Sequence, residues 1–192
     1  MDTVGIFGGT FDPIHFGHLI TAQTVLEKRK LSKIIFIPAY IAPHKIRYDY
    51  SAPEHRYKMT ELAISSNPFF DISSFEIERD DISYSYNTLV ELAKIYESLE
   101  LIIGFDNLVT FDIWHQPDEI LKIAKLVVLK RTYDKEIKKP NKYFEKAEFV
   151  DSPTIEISST EIRERVKNHL PIDFFVPKDV NNYILDNNLY KI

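Results

Sequence analysis

Four consecutive apolar residues, Ile34-Ile35-Phe36-Ile37, constrain the fold of this chain more than any other stretch. A strand with one face in water alternates apolar and polar side chains, so an unbroken apolar run reads as a strand covered on both faces. Pro38, which lacks a backbone N–H, ends it. Similar short runs occur at Val4 to Phe7, at Leu101 to Ile103 before Gly104, and at Leu126 to Leu129, with Ala147 to Val150 as a candidate last strand. Phe69 to Ile77 alternates and predicts one or two further strands.

Between the strands lie segments of helical period. Leu19, Ala22 and Leu26 mark one that runs through Lys28, and Met59, Leu62 and Ala63 mark another that opens at Ser51, Pro53 and Glu54. Leu89, Leu92, Ala93 and Tyr96 mark a third, after a loop over Ser83 to Asn87. A fourth begins at Ser158, and a last one follows Pro177 with Val180, Tyr183 and Ile184 on one face. Arg131 to Lys146 is polar, Lys-rich and without period, and predicts an exposed excursion. Strand and helix alternate without repeat or linker. The expected fold is therefore α/β: a doubly wound, Rossmann-like parallel sheet with helices on both faces and a small C-terminal helical segment. Residues 1–192 read as a single domain.

Sheets of this kind bind ligands beyond the carboxyl ends of their strands. The loops after Phe7, Ile37 and Ile103 are therefore the places to look, and they carry the unusual residues. The first is Gly8-Gly9-Thr10-Phe11-Asp12-Pro13-Ile14-His15-Phe16-Gly17-His18, between a strand and a helix. Gly8 and Gly9 are expected to adopt backbone angles closed to other residues and to let a ligand approach the main chain. Thr10 adds a hydroxyl, and the helix entrance offers free N–H groups to an anion. His15 and His18, three apart, are expected to project toward one spot, where two imidazoles suit charge stabilisation in phosphoryl or nucleotidyl transfer. The loop is neither a G-x-G-x-x-G fingerprint nor a P-loop.

Four further groups merit weight. Ser158 with Glu161 has capping-box spacing, which by itself predicts only a helix start. Ser159, Thr160 and the first-turn N–H groups also make a second anion site there, with Arg163 one turn on. His44 and Lys45 stand on the loop after Ile37, either at the ligand edge or as a solvated pair. Asp106, in Gly104-Phe105-Asp106-Asn107, suits a ribose hydroxyl or a helix cap, and the only Trp, Trp114, suits a heterocycle or the core. Ser83-Tyr84-Ser85 offers donors ahead of a helix.

Composition excludes several classes. With no cysteine, disulfides, thiolate nucleophiles and cysteine-held metals are absent. A net charge of −5 argues against a broad nucleic-acid-binding face while permitting a small phosphorylated substrate. No membrane span or signal peptide is legible, so cytoplasmic residence is expected.

Taken in order, GGTFDPIHFGH, PHK, SYS, IIGFDN with IWH, and ISSTEIR span nearly the whole chain. The first and last resemble the two phosphate signatures of the H-x-G-H nucleotidyltransferase superfamily. The middle segments resemble the bacterial nicotinate mononucleotide adenylyltransferases within it. That resemblance implies a single nucleotidyltransferase domain that joins ATP, with Mg²⁺, to nicotinate mononucleotide in NAD biosynthesis. It implies no protein-held metal, no nucleic-acid or membrane partner, and is compatible with a homo-oligomer. It implies catalytic roles for His15 and His18. ATP would meet Gly8, Gly9, Thr10, Phe11, His15, His18, Ser158, Ser159 and Arg163. Nicotinate mononucleotide would meet His44, Lys45, Ser83, Tyr84, Ser85, Asp106 and Trp114. The chain departs from the usual pattern at Lys45, where Arg is common, at Ser85, where Thr is, and at His115, where Tyr is. Another adenylyl- or cytidylyltransferase of the superfamily, or a nucleotide sensor without turnover, are the competing expectations.

Overall fold

A computed structural model of the chain describes residues 2–43, 50–130 and 140–191. Six strands form one sheet in the order β3-β2-β1-β4-β5-β6, parallel throughout. They are β1 (Thr3–Gly9), β2 (Lys33–Pro38), β3 (Phe70–Ile72), β4 (Ser98–Gly104), β5 (Ala124–Lys130) and β6 (Ala147–Asp151). Among the described residues eight α-helices connect and follow them: α1 (Phe16–Arg29), α2 (Pro53–Ile64), α3 (Phe75–Glu78), α4 (Ser85–Leu92), α5 (Phe105–Val109), α6 (Pro117–Ile123), α7 (Ser159–Lys167) and α8 (Lys178–Asp186). The doubly wound parallel fold expected from the apolar runs is the fold observed.

The period of two explains how one sheet carries two cores. Phe7, Ile34, Phe36, Ile102, Val127 and Leu129 point to one face, where α1, α2, α7 and α8 cover them. Val4, Ile6, Ile35, Ile37, Leu101, Ile103 and Val128 point to the other, beneath α4, α5 and α6. The C-terminal helices α7 and α8 are thus part of the first core: Ile162, Val180 and Ile184 are fully buried in it. Winding reverses between the adjacent strands β1 and β4, so the loops after these two strands splay apart over one crevice.

Three expectations need correction. The segment Phe69 to Ile77 holds only the short strand β3, because its partner β2 runs out of ladder donors at Pro38; the N–H groups of Ile77 and Glu78 turn back to Ser74 and form α3. The loop placed over Ser83 to Asn87 is helical from Ser85, with Tyr84 as N-cap, and that helix stops at Leu92, short of Tyr96. Of the stretch Arg131 to Lys146, residues 131–139 lie outside the described residues, and the remainder is anchored. Tyr143 is 2% exposed, sits edge-on to Phe111 and donates to Asp118 at 3.1 Å, while Asn141 donates to the Leu108 carbonyl at 2.7 Å. Single long-range contacts of this kind leave no periodic trace in a sequence.

Candidate active site

The two central strands end in glycine, and this shapes the crevice. A Cβ on Gly8 or on Gly104 would meet nothing within 4 Å, so bare main chain forms the cleft wall there. No glycine in the described residues has a positive φ. Gly8 and Gly9 therefore do not supply the unusual backbone angles expected of them; they end β1 as ordinary strand residues. Gly9 is required by contact, because a Cβ would stand 2.7 Å from the ring of Phe11. The unusual angle belongs to Phe11, at φ 49°, whose buried ring packs edge-on against Phe7 and His18.

Helix α1 begins at Phe16, earlier than the periodicity indicates, which makes His15 its N-cap and puts His18 in its first turn. The two imidazoles stack with centroids 3.7 Å apart and planes 28° from parallel. His18 Nδ1 accepts the backbone N–H of His15 at 3.3 Å, which fixes the orientation of its ring. A Cβ at Gly17 would lie 2.9 Å from His15 Nδ1, so only glycine leaves room for the ring.

Across the crevice stands the N-terminus of α7. The Ser158 hydroxyl accepts Glu161 N–H at 3.1 Å as the expected cap. Ser159 Oγ donates to the Pro13 carbonyl at 2.9 Å and Arg163 Nη1 to the Asp12 carbonyl at 2.7 Å. Those two contacts bind α7 to the histidine loop and hold the N-termini of α1 and α7 at a fixed spacing. Together with Gly8, Gly9, Thr10, Phe11 and Asp106 they line a cavity of about 580 Å³. That places all nine residues assigned to ATP by resemblance around one space.

A second cavity, of about 240 Å³, shares Gly8, Gly9, Thr10, Gly104 and Asn107 with the first and continues past Pro43, Ser83 and Ser85 to Trp114. A third small pocket joins there, with Tyr84, Ile113 and His115 on its wall. The Trp114 ring rests against Phe111, with centroids 5.0 Å apart, and Tyr84 against His115 at 4.5 Å. Asp106 is exposed on the first turn of α5; Gly104 occupies the N-cap and no side chain caps that helix. His44 and Lys45 lie outside the described residues.

Three residues that sequence reading passed over underpin this arrangement. Arg56, 2% exposed, donates to the carbonyls of Ser51 and Thr10 at 2.9 Å, of Ala39 at 2.5 Å and of Tyr40 at 2.9 Å. It ties the loop after β1 to the loop after β2. Burial pushes its guanidinium down from the ordinary value while nearby Asp12 pushes it back up. A legible signal existed: Arg56 lies at helical spacing on the same face of α2 as buried Met59, Thr60 and Ala63. Glu76 is also buried, on the wall of the second cavity, where Thr88 Oγ1 donates to it at 2.5 Å and Ser83 adds a further bond. Burial raises its carboxyl above the usual range against those hydrogen bonds. Asp12 accepts from the Tyr190 hydroxyl at 2.7 Å and from Ser51 N–H at 3.2 Å.

No three His, Asp or Glu side chains converge to hold a metal among the described residues, and no described helix is long and apolar enough to cross a membrane. The lining of the larger cavity includes His15, His18, Thr10, Ser159, Thr160 and Arg163, side chains that can donate to phosphate oxygens.

A family model described as cytidylyltransferase-like matches residues 6–165. A probable nicotinate-nucleotide adenylyltransferase of Thermoanaerobacter sp. (strain X514) is 41% identical over 198 residues, covering 98% of this chain and 94% of the relative. The nicotinate-nucleotide adenylyltransferase of Bacillus subtilis (strain 168) is 40% identical over 193 residues, covering all of both. Among solved structures, a Plasmodium falciparum nicotinic acid mononucleotide adenylyltransferase complexed with NaAD superposes with a TM-score of 0.80 at 18% identity, over 99% of this chain and 98% of that one.

Proposed function

The chain belongs to the cytidylyltransferase-like family, among its nicotinate-nucleotide adenylyltransferases, and we infer that it transfers AMP from ATP to nicotinate mononucleotide, forming nicotinic acid adenine dinucleotide and pyrophosphate. The observation that carries this reading onto the geometry is the continuity of the crevice. A cavity of about 580 Å³ that holds both histidines and Arg163 shares Gly8 and Gly104 with one of about 240 Å³ that reaches Trp114, an arrangement that suits two nucleotides end to end. One sheet with a core on each face supports treating residues 1–192 as one nucleotidyltransferase domain.

A direct displacement suits these residues. A 5′-phosphate oxygen of the mononucleotide attacks the α-phosphorus of ATP, the bond from that phosphorus to the bridging oxygen breaks, and pyrophosphate leaves in line. The nucleophile is already ionised, so neither a covalent intermediate nor a general base is needed, and catalysis is positioning plus stabilisation of charge. His18 serves the α-phosphate and His15 the β- and γ-phosphate side, with the N-terminus of α7 and Arg163 opposite. ATP would be taken as its magnesium complex, the ion supplying neutralisation of triphosphate charge. Asp106 is assigned to a ribose hydroxyl, and Trp114 with Ser83, Tyr84 and Ser85 to the pyridine ring; His44 and Lys45 are assigned to the mononucleotide phosphate.

The test is pyrophosphate release from MgATP with nicotinate mononucleotide, nicotinamide mononucleotide or phosphopantetheine as acceptor. Strong preference for the first is expected. Turnover with phosphopantetheine alone would move the chain to another activity of its superfamily, and binding of ATP without any turnover would make it a sensor.

A further inference from the structure

The reaction just described gives no task to the segment after α8, yet that segment reaches the foundation of the histidine loop. The backbone bends at Asn188 and Tyr190, with φ of 51° and 63°, and brings the Tyr190 hydroxyl to Asp12 Oδ1 at 2.7 Å, with Met59 Sδ at 3.8 Å. Positive φ at a bulky tyrosine is an unfavourable conformation, held here by what the side chain reaches. Asp12 is 2% exposed, and its other oxygen takes the Ser51 N–H at 3.2 Å. Its carbonyl receives Arg163 of α7, and the next carbonyl, of Pro13, receives Ser159. The Tyr190 hydroxyl, buried beside this carboxylate, is held protonated and so remains a donor.

Asp12 is therefore the point where the C-terminal segment, the loop before α2 and the N-terminus of α7 all grip one strand-to-helix turn. His15 follows three residues later. We propose that Tyr190 is a positioning residue for the phosphate-binding loop, its hydroxyl on Asp12 fixing the turn that presents His15 and His18 to the triphosphate. The proposal rests on the adenylyltransferase reading for its kinetic consequence, though its geometric consequence stands without it. A buried carboxylate oxygen that loses its donor recruits another or draws the loop toward solvent, and either shifts the turn.

Tyr183 supplies a matched control. Its hydroxyl bonds His55 Nδ1 at 2.9 Å where α8 packs on α2, and not Asp12. Tyr190→Phe and Tyr183→Phe each delete one hydroxyl, so both are expected to lower Tm by similar amounts. Only Tyr190→Phe is expected to shift the imidazole NMR resonances of His15 and His18 in the ligand-free protein. It alone is expected to lower kcat/KM for ATP, by about 10-fold, with KM for the mononucleotide within about twofold of wild type. Wild-type resonances and kinetics in Tyr190→Phe, or equal losses in the two variants, would overturn the proposal. Should Tyr190→Phe fail to fold, Asp12→Ala removes the acceptor from the same contact: unshifted His15 and His18 resonances in that variant would overturn it too. If the wild-type protein turns over no acceptor, the adenylyltransferase reading fails while the resonances still decide the role of Tyr190.

Discussion

A methyl group at Gly17 would stand 2.9 Å from Nδ1 of His15, whose ring stacks on His18 at 3.7 Å. The glycine is there for space alone, since its φ is not positive.

Gly17→Ala is therefore expected to push the His15 ring off its stack while leaving the fold intact. Overpacking costs about 1–3 kcal/mol, offset by about 1 kcal/mol of helix propensity gained over glycine. Thermal unfolding should shift by only a few degrees, while the role proposed for His15 predicts that kcat/KM falls about 10- to 100-fold when its ring is displaced by an ångström or less. Unaltered steady-state kinetics would show that the stacked geometry of the pair is not needed.

Arg56 poses a stability question. Its guanidinium serves four carbonyls from two loops, and Arg56→Met would leave these largely shielded groups without that donor. A loss of about 3–5 kcal/mol is expected, seen as a drop in Tm of roughly 10 °C or more. Lysine offers a point charge in place of a planar fork, so Arg56→Lys should recover only part of it. Equal Tm values for wild type and Arg56→Met would mean that water replaces the guanidinium without cost.

Glu76 should give the protein a pH dependence of recognisable sign. Burial raises its carboxyl pKa in the folded state, against the hydrogen bonds from Thr88 and Ser83. A raised folded pKa means that the folded state holds the proton more tightly, so this contribution to stability is complete below the unfolded value and is lost as pH rises through the folded one. Glu76→Gln keeps the shape and removes the charge. The variant should match wild type near pH 4 and gain in Tm over it between about pH 5 and pH 8. Parallel Tm curves across that range would show that Glu76 does not titrate there.

What the sequence determined by itself is the layering and the chemistry. Runs such as Ile34 to Ile37 demand cover on both faces, and their alternation with segments of helical period gives a parallel sheet wound in both directions. The glycine-histidine loop and the ISSTEIR cap were legible because their function depends on local geometry: strand end, helix start, free N–H groups. Tertiary structure decided which distant groups hold that local geometry in place. Nothing in the neighbourhoods of Glu76, Tyr143 or Tyr190 announces that each will be held against a partner between 12 and more than 170 residues away. A buried polar group finds its partner only after the sheet has closed, and the partner is chosen by which loops the strand order brings together. Even Gly8 and Gly9, conspicuous as they are, were legible only as glycines. That one opens onto the cleft and the other makes room for Phe11 follows from where the neighbouring strands and rings lie in the closed fold.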